Sequence, residues 1–225
     1  MALLIQEAHA SGIEVHAWLN LLSLSTNGDS KILKKYGPEI LTRNLNEKKT
    51  LEDYKIDNQY FLEPGDLRVR KELSKMVGEV LSAYPQLDGV QFDYIRYPDS
   101  HPFYGYTSMN VARFKKATGQ KSIEENSKIW KDWKRDQVTA LLKLLIRKVH
   151  AFRPGMQVST TGCMNYTRAY HEAFQDWAFW LKSGLVDFVT MMSYPKSVSD
   201  FELNIQEAKI KTGKFRNFRG LLDDR

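Results

Sequence analysis

One cysteine, Cys163, stands in 225 residues. A lone thiol excludes an intramolecular disulfide and a Cys-rich metal site, and a small apolar filler is its expected role. Long apolar runs are lacking too. None approaches the length of a membrane span, and the opening MALLIQEAHASG carries acid and histidine where an export signal would be apolar. Neither a membrane span nor an export signal is therefore expected in the chain as given. The five histidines (His9, His16, His101, His150, His171) show no H-x-x-x-H pairing, so no metal site is expected. No G-x-G-x-x-G, G-K-[ST] or G-x-S-x-G occurs, which removes the usual support for nucleotide or serine-hydrolase chemistry and leaves no cofactor expected. Charge of one sign is scarce as well: 33 Lys+Arg against 27 Asp+Glu give +6. The signs alternate along most segments, and the densest basic stretch, KDWKRDQ, already holds two acids. A nucleic-acid partner would rest on the net charge alone, and none is expected.

What is present is core-forming material. With 42% hydrophobic and 12% aromatic residues, the chain reads as one globular domain over residues 1–225 with a sizeable core. A helix over 2–11 stops at Gly12, and IEVHAWLN follows as a strand. Pro64 opens a helix in which Leu67, Leu73, Met76, Val77, Val80 and Leu81 recur three and four apart until Pro85. DGVQFDYIRYP is the second strand. A long helix from about Ser127 to Phe152 should bury Ile129, Trp130, Trp133, Leu141, Leu144, Leu145 and Val149, and Pro154-Gly155 breaks it before MQVSTTG, the third strand. One helix through HEAFQDWAFWLKSG ends at Gly184, and LVDFVTMMSY is the fourth strand. Residues 200 to 212 read as a further helix and FRNFRGLLDDR as a fifth strand. This alternation predicts an α/β fold with a parallel sheet covered on both faces.

The links are unequal. Helix-to-strand links are short, whereas the strand-to-helix links from about Leu21 to Glu63 and from Asp99 to Asn126 are long. Ligands of parallel α/β folds bind at the carboxyl ends of the strands, where the long links lie. That face carries Trp18 and Asn20, Asp93 to Tyr97, Ser159 to Thr161, and Met192 to Tyr194. Asp93, an acid inside an apolar strand, is either half of a buried ion pair or a carboxylate serving a sugar's oxocarbenium-like transition state. Strand alternation puts it on one side with Gln91 and Ile95, away from Arg96. Trp18 and Asn20 offer an aromatic platform and an amide, although Trp18 could equally be core. His16 reads as a hydrogen-bonded core histidine, and Arg135 could reach the site or brace a loop. Asp88 and Asp187 precede their strands and read as junction residues on the opposite face.

Five blocks in order, EAHASGIEVHAWLN, LEPGDLRVRKEL, DGVQFDYIRYP, DWKRDQV and QDWAFWLKSGLVDFVTMMSYP, resemble the family 10 glycosylhydrolase-like (GHL10, formerly DUF187) TIM-barrel proteins. The resemblance implies a (β/α)8 barrel acting on glycosidic bonds of an oligosaccharide or polysaccharide of cell-wall or exopolysaccharide type, in a bacterial extracytoplasmic location. It makes HAWLN strand three and GVQFDYIRYP strand four. Met1 then falls before strand three, so the chain should be a partial barrel of strands three to about seven, truncated at both ends. Chitinase-like strands resemble DGxDxDxE, where the last acid donates the proton. Here Asp88, Gln91, Asp93 and Ile95 hold those places, and an isoleucine cannot donate. Amylase-like barrels place a nucleophilic Asp where Asp93 stands, but their strand-five Glu has no counterpart in QVSTTGCMNY. The expected site is therefore Asp93 as catalytic carboxylate, with Trp18, Asn20, Arg96, Tyr97 and Tyr194 binding substrate. Asp99, Glu63, Glu172, Asp223 and Asp224 are candidates for a second carboxyl. The alternative is a carbohydrate-binding barrel without catalysis.

Overall fold

The computed structural model of the chain describes residues 2–99 and 104–212. The elements run α1 (Ala2–Ala10), β1 (His16–Asn20), α2 (Lys31–Tyr36), α3 (Leu67–Ala83), β2 (Gly89–Asp93), α4 (Ser108–Thr118), α5 (Lys128–Phe152), β3 (Gln157–Cys163), α6 (Tyr166–His171), α7 (Trp177–Lys182), β4 (Phe188–Met192) and α8 (Val198–Thr212). The stretch read as a fifth strand, with Asp223 and Asp224, lies outside the described residues.

The four strands form one sheet in the order β1-β2-β3-β4, every pair parallel. A doubly wound sheet would reverse its order at a switch point, whereas here each new strand joins on the same side, as in a (β/α)8 barrel. The two faces agree with that. Val90, Phe92, Val158, Thr160 and Val189 are fully buried on one face beneath the helices. The opposite face carries His16, Trp18, Gln91 and Phe188 around an open trough of about 500 Å³. Among the described residues, then, helices cover one face rather than two. The polar trough face is the one that a barrel turns inward, so the architecture is a consecutive four-strand part of a TIM barrel.

Local chemistry sets the element ends. α3 starts at Leu67, not at Pro64, because the Asp66 carboxylate accepts Arg68 N–H at 2.8 Å as its N-cap. Pro64 and Gly65 instead form the turn ahead of it. Gly65 is required there, since a Cβ would lie 2.0 Å from Asn110 Oδ1. α5 begins at Lys128 under a Ser127 cap, and its buried stripe runs through Trp130, Val138, Leu141, Leu142, Leu145 and Val149. Two residues expected in the core are not: Ile129 is 41% and Leu67 52% exposed. Each lies off the buried stripe of its helix, which begins at Trp130 in α5 and at Val69 in α3.

Of the single helix expected over 171–184 only Trp177–Lys182, α7, is helical, and α6 closes at His171, where that helix was expected to begin. Phe174 adopts a left-handed φ of 53°, and the next side chain, Gln175, is wholly buried. Its Oε1 accepts Cys163 N–H at 2.9 Å and its Nε2 donates to Thr161 O at 3.1 Å. This amide ties the end of β3 into the core.

A charge also lies in this core. Lys134 of α5 is fully buried, with Nζ 3.8 Å from the Phe174 ring centre and 5.7 Å from that of Trp130. Burial lowers its pKa from 10.5 to about 7, against a partly offsetting attraction from Glu63. Between those two values the folded chain binds fewer protons than the unfolded one, so this group adds stability as pH rises and withdraws it as pH falls through 7. Lys134→Met is expected to be the more stable protein at pH 6.5, with its advantage shrinking by a few kcal/mol at pH 9.5. Urea unfolding at the two pH values checks this. An advantage that does not change with pH would contradict it.

Candidate functional site

Asp93 ends β2 at the carboxyl edge of the sheet and is 3% exposed. Three donors meet it. Oδ1 accepts the Tyr94 N–H at 2.6 Å and the Thr161 hydroxyl at 2.5 Å, and Oδ2 accepts the indole Nε1–H of Trp18 at 3.0 Å. The acid can occupy so buried a place because these hydrogen bonds replace its water. Arg96 is not its partner, because its guanidinium pairs with Asp99.

The strand stops here because the chain turns. Tyr94 has φ 50°, a left-handed conformation that costs a tyrosine about 1–2 kcal/mol. The turn aims the Tyr94 N–H at Asp93, and the Tyr94 ring packs against Phe61 at 6.1 Å and beneath the Arg96 guanidinium at 4.8 Å. Alternation therefore holds through Asp93 and fails after it: Ile95 is buried in the core and does not extend the row of Gln91 and Asp93. Nothing in the sequence marked Tyr94, because tyrosine is not a residue associated with positive φ.

Trp18 is 69% exposed although its N–H is engaged, so the indole presents an open face beside the carboxylate. Asn20 is exposed and pairs in register with Asp93. Tyr194, 87% exposed, stands just past β4. These three surround Asp93 or border its edge of the sheet as expected. Below them the row continues with Gln91, whose Nε2 donates to Thr190 Oγ1 at 2.7 Å.

Tyr97 departs from its expected role. It is 1% exposed and its hydroxyl donates to Glu63 Oε1 at 2.5 Å, so it lies under the site and does not line it. Glu63 is wholly buried and also accepts Thr42 Oγ1–H at 2.9 Å and Gly65 N–H at 3.0 Å. Burial raises the Glu63 pKa despite those donors. The pair fastens the long Leu21–Glu63 link to the chain beyond β2. Arg96 is also largely withdrawn, 9% exposed, with Nη1 2.9 Å from Asp99 Oδ1. Asp99 is shared with Arg168 at 3.0 Å, and Glu172 stands 3.7 Å from the same Arg168. Both acids are thus held by arginines. Cys163 approaches Asp99 at 3.9 Å, and burial drives its pKa up to about 11, which leaves it a protonated thiol of low reactivity.

The remaining expectations resolve simply. Arg135 braces α6, donating to Tyr170 O at 3.1 Å with its guanidinium on the Tyr170 ring. His16 is half-buried in the trough beside Phe188 and 3.6 Å from Glu14, where a core histidine was expected. Asp88 and Asp187 lie at the opposite edge. The backbone N–H of Asp88 donates to Val15 O at 2.9 Å while its Oδ2 accepts Val15 N–H at 2.7 Å. Asp187 repeats both bonds on Val158, at 2.8 and 2.7 Å. Among the described residues no His, Cys, Asp and Glu side chains cluster as a metal site would require, and no helix is long and apolar enough to cross a membrane.

Known proteins place this geometry. The glycoside hydrolase domain of PgaB (BpsB) from Bordetella bronchiseptica superposes with a TM-score of 0.70 at 18% identity, over 95% of this chain and 62% of that one. A β-galactosidase from Bacillus circulans sp. alkalophilus gives 0.61 at 15% identity, over 93% of this chain and 35% of its own. At such identities the likeness concerns the fold. In sequence, the glycosyl hydrolase DigH of Escherichia coli K12 is 26% identical over 207 residues, and YngK of Bacillus subtilis 168 is 24% identical over 209. The chain covers 45% and 38% of those two relatives, less than half of either. Residues 1–218 match the family described as glycosyl hydrolase-like 10, and with the barrel strands and their carboxyl-edge acid in place, the chain belongs to that family.

Proposed function

We propose that the chain forms the acid-bearing part of a glycoside hydrolase barrel that cleaves glycosidic bonds of a polysaccharide, with Asp93 as its central carboxylate. The observation that carries this is the setting of Asp93: a buried carboxylate at the carboxyl edge of the sheet, fixed by three donors, one of them an exposed indole. A pyranose has an apolar face that stacks on an aromatic ring, and its anomeric carbon gains positive charge as the glycosidic bond breaks. Trp18 supplies the ring and Asp93 the negative charge, with Asn20 and Tyr194 in reach of hydroxyls. The family and the glycosyl hydrolase names of its relatives support the same reaction class.

Hydrolysis also needs a second carboxyl. Among the described residues, Asp99 and Glu172 are engaged by Arg168 and Glu63 is sealed in the core. This favours a second reading, a barrel that binds glycans without cutting them. Release of reducing ends from soluble glucans, galactans and chito-oligosaccharides by the intact protein and its Asp93→Asn variant separates the two. Release that depends on Asp93 supports hydrolysis, and calorimetric binding of an oligosaccharide without any release supports the second reading.

A further inference from the structure

The Asp93 carboxylate is held unevenly. Oδ1 takes two bonds from below, from Tyr94 N–H at 2.6 Å and from the hydroxyl of Thr161, a residue 4% exposed on the neighbouring strand. Oδ2 takes one, at 3.0 Å, from an indole that is 69% exposed. We infer that Oδ2 is the oxygen Asp93 presents to the anomeric carbon, and that Thr161 is the positioning residue that makes it so. The inference rests on the reading of Asp93 as the central carboxylate.

Each carboxylate oxygen offers about two acceptor directions. Both of those on Oδ1 are filled, and one on Oδ2 is left. A half turn of the carboxylate only exchanges two equivalent oxygens and restores the same bonds, so what the three donors fix is the plane of the group and which of its two oxygen positions, here that of Oδ2, keeps a free acceptor direction. Thr161 is itself fixed at both ends. Its register partner is Thr190 on β4, and its carbonyl accepts the buried Gln175 amide at 3.1 Å. Its hydroxyl donates to Asp93 and the residue is 4% exposed, so its contribution is the angle at which Oδ2 stands, not contact with a sugar.

The test uses Thr161→Val, which keeps the shape and removes the hydroxyl, and Thr161→Ser, which keeps the hydroxyl. Both are made in the intact protein and assayed by reducing-end release on the best glycan of the panel above, and Thr161→Val is also made on the Asp93→Asn background. Expected is a fall in kcat of about 10- to 100-fold for Thr161→Val with KM within about twofold, the size of effect that misplacing a reacting group produces. Thr161→Ser should restore kcat to within about threefold, and on the Asp93→Asn background the valine should cost nothing more, since both act through one group. An unchanged kcat in Thr161→Val alongside an inactive Asp93→Asn overturns the inference and leaves the reading of Asp93 standing. A rise in KM alone, or a serine variant as impaired as the valine, overturns it in the same way. Full activity in Asp93→Asn brings down the reading and the inference together.

Discussion

Asp93→Asn is expected to lower turnover on the best polysaccharide by about 10³-fold or more, with KM little changed, because the interaction removed is one made in the transition state. The amide is nearly the same shape as the carboxylate, so the pocket does not collapse. Its one oxygen must go where two donors converge, facing Tyr94 N–H and Thr161, which places the NH₂ against the indole N–H of Trp18. Two donors then face each other, and the exposed indole swings away at a cost of about 1–3 kcal/mol in stability. Activity and stability should therefore part company: a loss of three orders of magnitude in rate beside a shift of only a few degrees in Tm. Kinetics and thermal unfolding on the same preparation measure both. Equal turnover in parent and variant would remove Asp93 from the chemistry.

The largest effect on stability is expected at Glu63. Glu63→Ala removes the acceptor of the Tyr97 hydroxyl, the Thr42 hydroxyl and the Gly65 N–H from a wholly buried volume. Three orphaned donors and a cavity should cost about 3–5 kcal/mol, or about 10 °C or more in Tm. Glu63→Gln should behave quite differently. Its amide oxygen can serve Tyr97 and Gly65 while its NH₂ turns to Thr42, whose hydroxyl is free to rotate and accept. Because burial raises the Glu63 pKa above 4.5, the stability that the protonated acid provides is complete below 4.5 and is lost as pH climbs through the raised value. Glutamine, neutral throughout, does not lose it. The variant should match the parent near pH 4 and gain on it as pH rises. Unfolding curves across that range test this, and a parent that gains on Glu63→Gln as pH rises would show that the buried carboxylate is preferred charged.

The order of strands and helices was legible because breakers punctuate it: Gly12, Pro85, Pro154-Gly155 and Gly184 each close a periodic segment. The carboxyl edge, where Asp93 stands, was singled out by link lengths, and Asp93 by the cost of placing an acid in an apolar strand. What escaped depended on partners far away in sequence. The late start of α7, at Trp177 rather than His171, goes with Gln175 reaching β3 and Ile95, and no periodicity records a buried amide. Tyr97 read as surface because it follows a strand end, yet the Glu63 that draws it inward lies 34 residues earlier. Thr161 was on the nominated edge, but only the turn at Tyr94 shows why its hydroxyl matters. Local pattern therefore placed Asp93 at a strand end, while the identity of its donors came from packing.

The twin clamps of Asp88 on Val15 and Asp187 on Val158 lie at the edge of the sheet remote from Asp93. Each locks a strand to its predecessor with the same two bonds, so strand alignment is set at one end of the molecule by a unit that recurs along the chain. The other end is then released from that duty. Segments there can lengthen, acquire helices such as α2 and α4, or exchange side chains without shifting the two strands of either clamped pair. A lineage built this way can vary its upper loops while the foundation stays constant, and domain grafts cut just above the clamps should preserve the sheet.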